Sequence, residues 1–168
     1  VVQDGVIQRD ARELFRRMVF NILIDNTDDH EKNHALLVVN PYDIGKLKLV
    51  PAYDVLPAHS GQCCQEFICG AGGRDSTLGN ALSECGTFGL EPDEAAHEVV
   101  ADIEVVNSWR SHFVQFGAMA SDIEHLAAFI DGDGLLEQRR GFAPALYARA
   151  DAKGARCARR GPFSDEPR

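Results

Sequence analysis

No stretch of the chain holds the roughly 18 consecutive apolar residues that a membrane-spanning helix needs. None of the five cysteines forms a C-x-x-C pair: Cys63 and Cys64 are adjacent, Cys69 follows, and Cys85 and Cys157 stand apart. Zinc-ribbon and thioredoxin spacings are thereby excluded, and a knuckle built from Cys63, Cys64 and Cys69 lacks the spacing too. An odd number of scattered thiols reads as reduced cysteine and a cytoplasmic home. Val1-Val2-Gln3-Asp4-Gly5 does not open like a signal peptide, and without an initiating Met the chain is expected to be a trimmed or excised piece. Gly70-Ala71-Gly72-Gly73 lacks both the Gly-Lys-Ser/Thr ending of a P-loop and the third glycine of a dinucleotide fingerprint, so it reads as a turn. Internal repeats are absent.

Basic residues are also scarce. Lys and Arg number 17 against 26 Asp and Glu, a net charge of −9. From Gln138 onward eight basic and three acidic residues give a local +5, which leaves −14 on the first 137. Such an acidic body excludes a broad nucleic-acid footprint, and no direct nucleic-acid binding is expected. What remains is a 168-residue chain of ordinary globular composition, long enough for one domain with a real core.

The informative stretch is Asn26-Thr27-Asp28-Asp29-His30-Glu31-Lys32-Asn33. It lies between two apolar runs, Met18 to Ile24 and Ala35 to Val39, which are expected to be buried and to hold it rigidly. Asp28 and Asn33 stand at the interval that kinase catalytic loops use, where a carboxylate accepts the proton of an attacking hydroxyl and an amide oxygen holds a metal ion. Mg²⁺ suits such hard oxygen ligands. Lys32, between them, would face the transferred phosphoryl group. Two strand-like segments follow, Leu36 to Val39 and Lys46 to Val50, joined by a turn over 40–45. A hairpin returns the chain near its start, which would bring Asp54 of Pro51-Ala52-Tyr53-Asp54 beside Asp28 and Asn33.

Together the Asn26–Asn33 run and Pro51-Ala52-Tyr53-Asp54-Val55-Leu56-Pro57 resemble the HipA-type serine/threonine kinases, toxins of bacterial toxin–antitoxin modules. Their pattern is roughly Asn-x-Asp-x-His-x-Lys-Asn, then Pro-x-Tyr-Asp-x-x-Pro. Val50 stands where the family usually has Ser. The resemblance implies that Asp28 is the catalytic base and that Asn33 and Asp54 ligate Mg²⁺ and so bind ATP. His30 and Lys32 would then shape the loop or face phosphate. It covers about Ala11 to Gln138. The implied fold is mainly α: a helical kinase C-terminal lobe over 1–140 with a small β-hairpin next to the catalytic loop. Residues 141–168 would follow as a basic, disordered tail. The family further implies a protein substrate and an HipB-like DNA-binding antitoxin as partner. Only 27 residues precede Asp28, so the nucleotide-binding lobe, with its glycine-rich loop and strand Lys, is expected to be missing.

Three rival readings share these letters. His30-Glu31-Lys32-Asn33-His34 spells the H-E-x-x-H of zinc hydrolases, which works only where a helix places both histidines on one face. A second rival is a polar turn without chemistry. The third is a non-catalytic interaction or regulatory remnant of a toxin–antitoxin kinase.

The remaining pattern is helical. Leu14, Phe15, Met18, Val19, Ile22 and Leu23 make an apolar stripe on a helix over 9–24, with Arg12, Arg16 and Arg17 on the solvated face. Further helices are expected over 77–88, from Glu91-Pro92-Asp93 to about Phe116, and from a capping box at Ser121 and Glu124. Trp109 reads as a core anchor and His59 as a loop residue. Asp131-Gly132-Asp133-Gly134 fails the calcium-loop spacing at Leu135.

Overall fold

The computed structural model describes residues 2–40, 42, 47–58 and 64–148, with side chains assigned from 8 to 147 within these ranges. Most of the expected turn over 40–45, His59, Cys63 and the stretch 149–168 lie outside them.

Among the described residues the chain is mainly helical with one two-stranded sheet. Helix α1 spans Val2–Leu23, longer than its apolar stripe alone predicts. The stripe goes inward: Phe15, Val19, Ile22 and Leu23 are fully buried. Each contributes roughly 1.5–3 kcal/mol by leaving water. Strands β1 (Leu36–Val38) and β2 (Leu47–Leu49) pair antiparallel, with Leu36 opposite Leu49 and Val38 opposite Leu47. An irregular segment leads to α2 (Leu78–Ser83), then α3 (Pro92–Asn107), α4 (Trp109–Gln115), α5 (Ala120–Ile130), α6 (Asp133–Gly141) and α7 (Ala145–Ala148).

α1 lies against α2, α3 and a 3-10 turn at Cys85–Phe88, and α3 also meets α7. One core joins Phe15, Val19 and Ile22 to Leu78, Ala81, Val99, Ile103, Val106 and Trp109. Two hydrogen-bond hubs lock its borders. Asn80 Nδ2 donates to the carbonyls of Gly73 and Asp75 at 3.0 and 2.9 Å, and its Oδ1 accepts from Gly72 N at 2.7 Å. The Gly70–Gly73 segment is therefore a turn, closed by a single bridge. At the other border Arg139 and Arg110 pair with Asp131, which also accepts a hydrogen bond from Trp109 Nε1.

Several boundaries differ from the sequence pattern. The long helix expected to reach Phe116 breaks at Ser108, whose hydroxyl donates to Val105 O at 2.8 Å. The break turns Trp109 so that its Nε1 donates to Asp131 Oδ1 at 3.2 Å. The helix expected over 77–88 stops at Ser83, because Glu84 adopts φ −125°. The capping box forms at Glu91 and Glu94, whereas Ser121 lies inside α5, one residue past its start. β1 is not a buried flank. Leu36, Leu37, Val38 and Val39 are 57, 57, 49 and 58 % exposed; α1 packs on the other strand, β2, where Leu49 is buried and its N donates to Asp10 Oδ2 at 2.9 Å.

Candidate functional site

The loop is built from the end of α1. Asp25 takes a left-handed φ of 60°. Asn26 N donates to Asn21 O at 2.9 Å and Asp25 N to Ile22 O at 3.5 Å. These paired bonds close a helix end that usually carries glycine, and aspartate tolerates it at some cost. Asn26 Nδ2 then donates to Asn21 Oδ1 at 3.1 Å, both residues buried. The direction in which the chain leaves the core is thus fixed by side chain and backbone alike.

Two further side-chain bonds, each spanning five residues, cinch the loop. Asn33 Nδ2 donates to the backbone oxygen of Asp28 at 3.2 Å. His34 Nε2 donates to Asp29 Oδ1 at 2.9 Å. Asp29 and Asn33 are each 6 % exposed, so this polar loop is packed, while Asp28 faces solvent. With its Nδ2 committed to Asp28, the Asn33 amide keeps its oxygen, the atom that can bind a metal, outside that bond.

The segment after β2 closes onto the loop. Val50 N donates to Ala35 O at 3.0 Å, and Tyr53 Oη to Lys32 O at 2.5 Å. Ala58 N donates to Asp25 O at 2.9 Å and Glu66 N to Thr27 O at 3.2 Å. Between these ties Asp54 is held at φ 56°. A non-glycine residue in that region costs of order 1–3 kcal/mol and persists where its surroundings over-determine it.

Asp28 and Asp54 line one open pocket of about 420 Å³, together with Asn26, Thr27 and Glu66. Asn33 borders a second pocket of about 250 Å³ behind the loop, with Arg17, Asp29, His34, Tyr53 and Asp102. It meets the first pocket's residues through its bond to Asp28. Lys32 projects into solvent, and His30 sits half-buried ahead of the 3-10 turn Glu31–Asn33 with Nδ1 unpartnered. These two border neither pocket.

The zinc geometry fails. His30 and His34 both have extended backbones around a three-residue 3-10 turn, so no α-helical face carries them, and His34 is engaged by Asp29. For Mg²⁺ the donor types fit better: two exposed carboxylates line one pocket, and the amide of Asn33, which borders the second pocket, is tied to the backbone of Asp28; all are hard oxygen ligands.

Sequence reasoning missed Arg17. Far from solvated, its side chain is 10 % exposed; Nη2 donates to Val50 O at 2.7 Å and Nε to Glu13 Oε1 at 3.1 Å. It ties α1 to the segment that carries Asp54. Asp29 and His34 were missed as well, although their interval repeats that of Asp28 and Asn33. Nearby, burial pushes the Cys69 thiol up to about 11, and the charge of Asp29 adds to the shift. Burial likewise lifts Asp102 to about 7; Arg16 opposes the shift, and Glu98 and Glu13 reinforce it.

A family model described as the HipA-like C-terminal domain matches residues 2–109. The chain belongs to that family. Characterised proteins and solved structures gave no match. The HipA-like region takes in the whole site, from α1 through Asp54, and the core helix α3. It ends at Trp109, so α5, α6 and α7 lie beyond it.

Proposed function

We propose that this HipA-like chain is the C-terminal catalytic lobe of a serine/threonine protein kinase, a transferase that moves the γ-phosphoryl group of ATP to a protein hydroxyl. The observation that carries the reading is the meeting of Asp28 and Asp54 on one pocket, with Asn33 tied back onto Asp28. Asp28, exposed at the loop's surface, would accept the proton of the substrate hydroxyl as its oxygen forms the new bond to phosphorus. The bond from phosphorus to the β,γ-bridging oxygen breaks, and ADP leaves. Asp54, with the Asn33 amide oxygen, would hold Mg²⁺, which when bound neutralises phosphate charge. Lys32 is exposed and free to approach the phosphates, and Tyr53 steadies its carbonyl. His30 would brace the turn.

No glycine-rich loop precedes this site in the chain. The nucleotide would accordingly need an upstream lobe, and the chain alone would turn over slowly or not at all. Partners of the family's kind, a protein substrate and a DNA-binding antitoxin, and a cytoplasmic location belong to the same proposal. No described helix is long and apolar enough to cross a membrane.

A second reading, a non-catalytic interaction remnant, draws on one observation: the exposed apolar ribbon of Leu36, Leu37, Val38 and Val39. It invites a covering partner whether or not catalysis occurs. Calorimetry with Mg-ATP, beside Asp54→Asn, separates the readings. Binding that the variant loses supports the kinase lobe. No binding even after an upstream HipA-like lobe is supplied would favour the remnant.

A further inference from the structure

We infer that Asp29 and His34 form a clamp that positions the two site residues they adjoin, Asp28 and Asn33. The inference rests on the proposed kinase reading for its purpose, though not for its geometry. The clamp's two members are the immediate neighbours, on the same side in sequence, of the pair it serves: Asp29 follows Asp28 and His34 follows Asn33. The two bonds therefore run side by side across the loop, Asn33 to Asp28 O at 3.2 Å and His34 to Asp29 Oδ1 at 2.9 Å. The first is a single bond from a neutral amide. The second has a carboxylate acceptor, and hydrogen bonds to charged groups are roughly twice as strong. The clamp carries more of the closure than the bond between the site residues themselves.

Burial sharpens the argument. The Asp29 and His34 side chains are 8 and 17 % exposed, so water competes little for either partner. The imidazole also packs against the Phe67 ring, tilted at 45° with 5.6 Å between centroids. Phe67 follows Glu66, whose amide donates to Thr27 O. The clamp is thus anchored to a segment outside the loop, and rotation of His34 is opposed from two sides. A carboxylate that orients a ring next to a metal-binding residue acts through that residue: Asp29 and His34 are positioning residues and touch no substrate.

The test uses the 168-residue chain with four variants. Asp29→Ala and His34→Ala remove the bond. Asp29→Asn keeps an acceptor oxygen and His34→Gln keeps a donor nitrogen. Hydrogen exchange is followed on peptides covering 26–35, with peptides from α1 and α3 as internal references. The clamp predicts that both Ala variants exchange faster in the loop by about tenfold, the equivalent of roughly 1.4 kcal/mol. The Asn and Gln variants should stay near the parent, with α1 and α3 unchanged in all four. Equal exchange in Ala and conservative variants, or a loss of protection shared by α1 and α3, overturns the clamp. A second arm measures Mn-ATP affinity. Where the parent binds in an Asp54-dependent way, the Ala variants should lose roughly 10–100-fold, as outer-shell partners of metal ligands do. Unchanged affinity there would overturn the positioning role. A parent chain that shows no Asp54-dependent binding even with an upstream HipA-like lobe supplied counts against the proposed function, and the exchange arm still decides the clamp.

Discussion

Arg139 Nη2 donates to Asp131 Oδ1 at 3.0 Å, and the same guanidinium reaches two helix ends. Its Nη1 donates to Ile130 O at 2.7 Å, at the end of α5, and to Leu23 O at 3.3 Å, at the end of α1. A cation at the C-terminal ends of two helices satisfies carbonyls that have no partner within either helix, and it complements both dipoles. Leu23 is also the last helical residue before the Asn26–Asn33 loop. Helix α6, more than 100 residues later, therefore holds the base of the candidate site.

The pair predicts a large, asymmetric loss. The Arg139 side chain is 2 % exposed, and Asp131 also accepts from Trp109 Nε1 and Arg110 Nε. Arg139→Ala leaves carbonyls of α1 and α5 bare, and breaking such a buried pair costs roughly 3–5 kcal/mol. Asp131→Asn should cost less, because an amide oxygen still accepts. Urea unfolding of the two variants measures the difference; equal, small losses would show that the cluster does not hold α6 in place.

Asp102 predicts an unusual pH dependence. Its carboxyl is raised from 3.8 to about 7, chiefly by burial, which outweighs Arg16 Nε at 3.9 Å. Glu98 on α3 and Glu13 on α1 push the same way as burial, and Oδ2 has no hydrogen-bond partner. Between about pH 4 and 7 the folded chain keeps this proton while the unfolded chain has released it. Folding then binds protons, so this group's contribution to stability falls as pH rises through that window and levels off above it. Asp102→Asn should flatten the fall. Melting temperatures of parent and variant across pH 4 to 8 test this: parallel curves would refute it.

The loop and the Asp54 motif were legible because their information is local: residue types at fixed intervals. The α1 stripe was legible because periodicity reports burial directly, and Phe15, Val19 and Ile22 are fully buried as the pattern requires. What escaped depends on distant neighbours. Arg17 reads as surface on its own helix, and only the arrival of Val50, 33 residues later, buries it. The break at Ser108 hides inside an unbroken apolar rhythm, since Val106 and Trp109 both point inward on either side of it. The exposure of β1 was illegible for the opposite reason: an apolar run states what would be buried if a cover were present, not whether one is.

Gly70 predicts a packing penalty. A Cβ there would overlap the backbone oxygen of Asn80 and come within 2.5 Å of Ser83 Oγ and 2.7 Å of Asn80 Oδ1. The backbone atom cannot step aside without moving α2. Gly70→Ala should therefore destabilise by about 1–3 kcal/mol, whereas Gly73→Ala meets no atom and loses only through its φ of 70°. Thermal melts of the two variants give the comparison, and a neutral Gly70→Ala would show that the turn slides.

Asp54 sets stability against function. Its φ of 56° is strained for an L residue, and glycine adopts it freely. The side chain is exposed, so its removal forfeits little packing. Asp54→Gly should therefore hold or raise stability, with up to about 1–2 kcal/mol from the relieved left-handed backbone offset by added freedom in the unfolded chain. The same change removes a carboxylate from the pocket shared with Asp28 and should abolish Mg-dependent nucleotide binding. Asp54→Asn keeps a residue type that tolerates this conformation, and it should leave stability near the parent while also losing metal affinity. Asp54→Ala should be the least stable of the three. Melting temperature and Mg-ATP titration on one set of proteins separate the two effects. If glycine melts below alanine, strain is not what Asp54 stores.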